Sequence, residues 1–375
     1  MKVLTVFGTR PEAIKMAPVV RALTALTGIE SRVCVTAQHR EMLDQVLHLF
    51  AIEPDYDLGI MVPGQTLSAT TSKVLLGLEP LLQEYGPDLV LVHGDTATAS
   101  AASLAAYYQR IQVGHVEAGL RTGNLLAPWP EEGNRKVIAA VATVHFAPTE
   151  QARENLLREG IDPGAIHVTG NTVIDALRIV VDRLRTDSRL ADSLAGQFSF
   201  LRPDARLVVI TCHRRENFQG GLGRICTAIR TLAERFPKVD FVFPVHPNPK
   251  VLGTVGATLQ GIGNVHLIEP QDYLPFVYLM SRSSLLLTDS GGIQEEAPAL
   301  GKPVLVMRDK TERPEVLASG GVQLVGTDTV TIVESAARVL AGPHGPVVSS
   351  MVETPYGDGR ASERIIRILQ SLGSH

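Results

Sequence analysis

Short apolar runs alternate along the chain with longer stretches in which apolar positions return every three or four residues. The runs at residues 3–7, 32–36, 88–93, 112–116 and 144–147 read as buried strands. The stretches at 11–26, 41–50, 68–85, 96–110, 131–142 and 151–159 carry helical spacing. A continuous apolar strand followed by an amphipathic helix is the signature of a parallel sheet covered on both faces. Residues 171–184 read as a further helix and 185–204 as polar and irregular. The alternation then restarts, with strands expected at 207–211, 241–245, 265–268, 285–288, 303–307 and 322–325. The pattern therefore runs twice, with its join near residues 170–205. The expectation is an α/β protein of two Rossmann-like, doubly wound domains with a ligand cleft between them. A last helix at 359–372 could pack on either half.

Composition narrows the function. The chain has 375 residues, enough for two or three separate cores. Its formal net charge is −4, so no global field draws nucleic acid or an anionic membrane. An acidic ligand would need a local cluster of cations. Cys34, Cys212 and Cys226 form no Cys-x-x-Cys pair, which argues against a disulfide framework and a zinc site. The apolar run at 3–7 is too short for a signal-peptide core, and no run approaches the roughly 18 residues of a membrane span. A cytoplasmic protein is expected.

Ligands of open α/β sheets bind beyond the carboxyl ends of the strands, so the residues after each strand matter most. After the first come Gly8-Thr9-Arg10-Pro11-Glu12 and Lys15. Later strand ends supply His93-Gly94-Asp95 and His115-Val116-Glu117-Ala118-Gly119, and a loop supplies Pro128-Trp129-Pro130-Glu131-Glu132. Asp95, Glu117 and Glu131 are thus candidate acid–base carboxylates. Each has a plainer reading. Asp95-Thr96 fits a helix N-cap, and Glu131 and Glu132 suit the first turn of a helix. Glu117, closing an apolar strand before Ala-Gly, is harder to read as a surface residue. In the second half, His213, Arg214 and Arg215 follow a strand and could serve phosphate or simply be a solvated charge run. The run from Thr288-Asp289 through Ser290-Gly291-Gly292 enters a helix, whose start offers bare N–H groups to a diphosphate. Glu296, one turn in, could accept from ribose hydroxyls. Neither first strand leads into Gly-x-Gly-x-x-Gly, and no P-loop sequence occurs.

These blocks together resemble the non-hydrolysing UDP-N-acetylglucosamine 2-epimerases over essentially the whole chain. The matching stretches include 7–15, Thr36-Ala37-Gln38-His39-Arg40, 92–96, 114–121, 169–172, His213-Arg214-Arg215-Glu216, 289–292, 308–315 and Pro355-Tyr356-Gly357. The resemblance implies a GT-B-type fold, with a first domain at 1–170 joined by the returning segment 359–375, and a UDP-binding domain at 171–358. It implies a homodimer that interconverts UDP-GlcNAc and UDP-ManNAc without a redox cofactor. It places Asp95, Glu117, Glu131 and His213 in the catalytic group. It places Arg10, Lys15, Gln271, Phe276, Ser290, Gly291, Gly292, Glu296 and Arg313 around the UDP moiety. Gln38 and His39 match a site where some relatives bind a second UDP-GlcNAc as activator, although Gly64 stands where those relatives have Arg. Cys212, Ala97 and Lys310 are further departures, and none removes a catalytic group.

The chemistry is demanding because C2 of the sugar is not next to a carbonyl. Expelling UDP from C1 while the C2 proton leaves, through a glycal, needs a cationic pocket for diphosphate and acid–base groups near C2. The rival readings are a hydrolysing epimerase that releases free ManNAc, a GT-B glycosyltransferase, and a non-catalytic UDP-sugar sensor.

Overall fold

The computed structural model describes residues 1–37, 40–60, 62, 64–212, 214, 217, 220–311, 313–317, 320–342, 352 and 354–373. The chain divides into two compact units, Met1–Ala176 with Tyr356–His375, and Leu177–Pro355.

The first unit is built on β1 (Lys2–Phe7), β2 (Glu30–Val35), β3 (Tyr56–Asp57), β4 (Leu89–His93), β5 (Gln112–Val116), β6 (Val144–Ala147) and β7 (Ile166–Val168). Among the described residues these make one parallel sheet in the order β3-β2-β1-β4-β5-β6-β7. Its helices are α1 (Arg10–Thr24), α2 (Arg40–Phe50), α3 (Leu67–Tyr85), α4 (Ala97–Tyr108), α5 (Glu131–Val141), α6 (Glu150–Arg158) and the start of α7 (Thr172–Thr186). The strand order reverses between β1 and β4, so the ends of those two strands flank a topological switch point. Central strands are mostly apolar because both faces are covered; β4 is buried at every position.

The second unit carries α8 (Ser188–Gln197), β8 (Arg206–Thr211), α9 (Gly221–Arg235), β9 (Val239–Pro244), α10 (Pro249–Leu259), β10 (Val265–Ile268), α11 (Tyr273–Arg282) and β11 (Leu285–Thr288). It continues through α12 (Gly291–Ala299), β12 (Val304–Val306), α13 (Pro314–Leu317), β13 (Val322–Leu324) and α14 (Thr329–Ala341). Its sheet is also parallel, in the order β10-β9-β8-β11-β12-β13. A core of Val208, Ile210, Ile229, Phe241, Phe243 and Leu287 lies under α9 and α14. The final helix, α15 (Ala361–Leu372), packs on α1 of the first unit. Asp175 holds its start by accepting from the backbone N–H groups of Ala361 at 3.1 Å and Ser362 at 2.7 Å.

Two features depart from the sequence reading. Residues 188–197 form α8, where irregular chain was expected; Asp187 caps it by accepting from Leu190 N at 3.0 Å. Its polar surface hides the helix, since Leu194 is the residue it buries fully. β3 and β7 are short edge strands whose few residues carry too little apolar pattern to register.

Candidate functional site

The candidate site of the first unit begins with β1 running into Gly8 and Thr9. A side chain is excluded at residue 8, where a Cβ would stand 2.0 Å from Thr36 Oγ1. Thr9 and Glu12 form a reciprocal capping box at the start of α1. Glu12 Oε2 accepts from Gly8 N at 3.1 Å and Thr9 N at 2.8 Å, while Oε1 accepts from Thr96 Oγ1 at 2.6 Å. Burial pushes the Glu12 carboxyl up, and these three hydrogen bonds, with a fourth from Thr9 Oγ1 at 2.8 Å, oppose that shift. Arg10 opens α1 and is half-buried. Lys15, a turn further on, pairs with Glu117 Oε2.

Glu117 follows β5 with φ +63°, a left-handed backbone that costs an ordinary residue about 1–3 kcal/mol. Its side chain is 8% exposed. Besides Lys15, Asn171 Nδ2 donates to its Oε2 at 2.8 Å and His93 Nε2 lies 3.8 Å away. A carboxylate strained, buried and fixed by a cation has no surface role, as the sequence had indicated. The turn continues into Gly119, at φ +89°, where a Cβ would collide with Ala152 O at 2.2 Å.

Asp95 does not cap α4; Thr96 does, accepting from Ala99 N at 3.0 Å. Asp95 is instead held from α5. Arg135 Nε donates to Asp95 Oδ2 at 2.9 Å, and Asn134 Nδ2 donates to the Asp95 carbonyl at 2.8 Å. His115 Nε2 bonds the neighbouring Gly94 carbonyl at 2.7 Å, and burial drops its pKa to about 3, so the ring is neutral and donates there. A Cβ on Gly94 would lie 3.9 Å from Glu117 Oε1, which brings the ends of β4 and β5 together.

Glu131 and Glu132 both occupy the first turn of α5, but their roles divide. Glu132 is fully buried and accepts from Thr122 N, Gly123 N and Arg135 Nη1, each at 3.1 Å. Those bonds fasten the preceding loop to the helix. Glu131 Oε2 is buried and has no hydrogen-bond partner among the described residues. A buried, unmatched carboxylate oxygen costs free energy unless a ligand completes it.

The candidate site of the second unit lies where β8 and β11 end. Ser290 precedes α12, and its side chain caps none of that helix's first N–H groups. Arg214 Nη2 stands 3.6 Å from the Cβ position of Gly291, and Arg214 Nε is buried without a hydrogen-bond partner among the described residues. A guanidinium beside an uncapped helix start forms an anion cradle. Asp289 fixes the loop after β8, accepting from Arg214 N at 2.8 Å and Asn217 Nδ2 at 2.9 Å. Glu296 Oε1 accepts from Tyr273 OH at 2.6 Å, which ties α12 to α11 near Gln271 and Phe276. Gln271 precedes α11 and accepts from Gln197 Nε2 at 3.2 Å, while Phe276 is half-buried on that helix. Arg313 pairs with the fully buried Glu295 of α12, an anchor the sequence reading missed. His213, Gln38 and His39 lie outside the described residues. Among the described residues, no helix is long and apolar enough to cross a membrane.

Two doubly wound parallel sheets, one ending in a carboxylate cluster and the other in a cationic helix start, define an α/β protein of GT-B type. The family model for UDP-N-acetylglucosamine 2-epimerase matches residues 21–370. The chain belongs to the UDP-N-acetylglucosamine 2-epimerase family. It is 58% identical over 371 residues to the UDP-N-acetylglucosamine 2-epimerase of Yersinia pestis, covering 99% of each chain. It is similar to the crystal structure of UDP-GlcNAc 2-epimerase from Neisseria meningitidis bound to UDP-GlcNAc, with TM-score 0.91, 53% identity, and 99% and 100% of the two chains covered. The Methanocaldococcus jannaschii UDP-GlcNAc 2-epimerase in complex with UDP-GlcNAc and UDP matches with TM-score 0.83 at 34% identity, covering 99% of this chain and 100% of that one.

Proposed function

We propose that the protein interconverts UDP-GlcNAc and UDP-ManNAc by eliminating UDP and adding it back. The observation that carries this reading is the buried Oε2 of Glu131, an acid–base group with no partner among the described residues, in the unit that also fixes Asp95 and Glu117. In the forward direction a carboxylate of the first unit takes the C2 proton. The C1–O bond breaks, its electron pair leaves with UDP, and a C1–C2 double bond forms. The diphosphate charge is met by the α12 start, Arg214 and Arg313, with His213 next to Arg214 in sequence. A second carboxylic acid then delivers a proton to the other face of C2 as UDP returns to C1. The first unit holds the proposed acid–base groups, and the second holds most of the proposed phosphate-binding groups. Gln271, Phe276 and Glu296 hold the uridine.

Lys15 pairs with Glu117, and Arg135 pairs with Asp95. Both carboxylates are thereby held in place by a cation. Glu131 Oε2, with no hydrogen-bond partner among the described residues, is open to a ligand. The enzyme works as a homodimer in the cytoplasm, in keeping with three buried thiols. Purified protein given UDP-GlcNAc, without added nicotinamide cofactor, is expected to yield UDP-ManNAc by NMR; free ManNAc as the sole product would instead make it a hydrolysing enzyme.

A further inference from the structure

A cavity of about 310 Å³ opens in the second unit where α9 begins. Arg224 of α9, Arg308 and Lys310 of the loop after β12, and Thr327 of the turn after β13 line it, with Asn217 and Gly221. Of these residues only Asn217 also touches the α12 cradle described above, through its bond to Asp289. The three basic groups converge from two separate segments, unlike a charge run on one solvated face. Asp309 also lines the wall, so among the described lining residues three positive side chains meet one negative. Arg308 is 8% exposed, whereas Lys310 lies at the surface.

The guanidinium of Arg224 is oriented by neutral acceptors. Its Nε donates to Thr327 O at 3.2 Å and its Nη2 to Thr327 Oγ1 at 2.5 Å. The nearby Asp328 feels its charge but accepts from Thr331 N at 2.9 Å as the cap of α14. Arg224 is thus placed without being neutralised by a close carboxylate among the described residues. The backbone adds to this field. α9 runs for 15 residues and starts at Gly220 without a side-chain cap, so its positive end faces the same wall. A Cβ on Gly221 would stand 3.2 Å from Thr327 Cγ2 and 3.4 Å from Asn217 Oδ1, so the glycine leaves that backbone accessible.

We propose that this cavity is a second anion site, distinct from the α12 cradle, that binds a phosphoryl dianion such as pyrophosphate or a small phosphorylated metabolite. Cations in two ranks, a bare helix start and the Thr327 and Asn217 side chains match several phosphoryl oxygens at once. Occupancy is communicated to the first cradle by one hydrogen bond. Asn217 lines the cavity and donates to Asp289, the residue before Ser290. A ligand that pulls Asn217 toward itself alters the loop that carries His213 and Arg214.

The test is calorimetric titration of the full protein with inorganic pyrophosphate at low salt, with and without saturating UDP. With UDP present, one equivalent of pyrophosphate is expected to bind. Lys310→Gln, on the exposed loop, is expected to weaken it about threefold, and Arg224→Gln with Lys310→Gln at least tenfold. Both variants should bind UDP within twofold of the parent, and Arg313→Ala should leave the pyrophosphate step in place. These comparisons hold whether or not UDP proves to be the ligand of the α12 cradle. Loss of all pyrophosphate binding under saturating UDP, or binding unchanged in Lys310→Gln and in the double variant, would overturn the assignment. Should the double variant fail to fold, Lys310→Gln and Lys310→Glu decide alone: unaltered pyrophosphate affinity in both sinks the proposal.

Discussion

Arg135 on α5 donates from Nε to the Oδ2 of Asp95 at 2.9 Å, so a helix from one loop fixes a carboxylate at the end of another strand. The same guanidinium reaches Glu132 at 3.1 Å, one residue from Glu131. A proposed acid–base group, Asp95, and the carboxylate that staples the loop before α5 therefore share a support. Arg135→Gln should lower turnover at least tenfold while UDP affinity stays within about threefold. It also leaves the buried Glu132 without its cation, so a loss of stability of about 2–4 kcal/mol is expected. Steady-state kinetics with UDP calorimetry checks the first point, and urea unfolding the second. Turnover unchanged in a folded variant would remove Arg135 from the account.

Glu117→Gln and Glu131→Gln should each reduce kcat by about 10²–10⁴-fold. The amide keeps the size and most hydrogen bonds but cannot exchange a proton. UDP binding should survive in both, because most of the proposed phosphate-binding groups lie on the second unit. Lost UDP binding in both variants would mean that these carboxylates serve structure.

His115 and His145 are buried, and burial lowers their pKa values to about 3 and about 4 from 6.5. Between those values and about 6.5 the unfolded chain binds protons that the folded chain refuses. Their contribution is complete above about pH 6.5 and is lost as pH falls, at up to about 1.4 kcal/mol per unit for each ring. Unfolding free energy should thus fall between pH 7 and pH 5, and His115→Gln should flatten that slope. An equal slope in the variant would show that His115 is not the group responsible. Because His115 holds the Gly94 carbonyl beside Asp95, its protonation should also slow turnover at low pH.

Gly119→Ala tests the turn that follows Glu117. The added methyl would meet a backbone carbonyl at 2.2 Å and sit at a φ of +89°. Destabilisation of about 1–3 kcal/mol is expected. A variant as stable as the parent would show that this turn relaxes readily.

The alternation of buried strands and amphipathic helices was legible because parallel sheets demand unbroken apolar runs. Strand ends could then be read as candidate sites, which led to Asp95, Glu117 and the Ser290-Gly291-Gly292 start. What stayed hidden depended on side-chain direction. Glu131 and Glu132 are neighbours in sequence yet point about 100° apart around the helix, so one staples a loop and the other is left unmatched. Asp95 and Thr96 are both good caps by type, and only the backbone shows that Thr96 takes the role. The pairings of Arg135 with Asp95, 40 residues apart, and of Tyr273 with Glu296, 23 apart, have no local signal. α8 escaped for a different reason: it buries too little to impose a period.

The central claim is that the C2 proton leaves and a different one returns. Epimerisation of UDP-GlcNAc run in D2O measures this directly. A carboxylic acid equilibrated with solvent should place deuterium at C2 of UDP-ManNAc, seen by NMR as loss of the C2 proton signal and of its coupling to the C1 proton. Substrate labelled with 18O in the sugar–phosphate bridge should, in the same reaction, move label into non-bridging positions as the C1–O bond breaks and reforms. Product that retains its original C2 hydrogen in full, with no glycal detectable, would contradict elimination and re-addition.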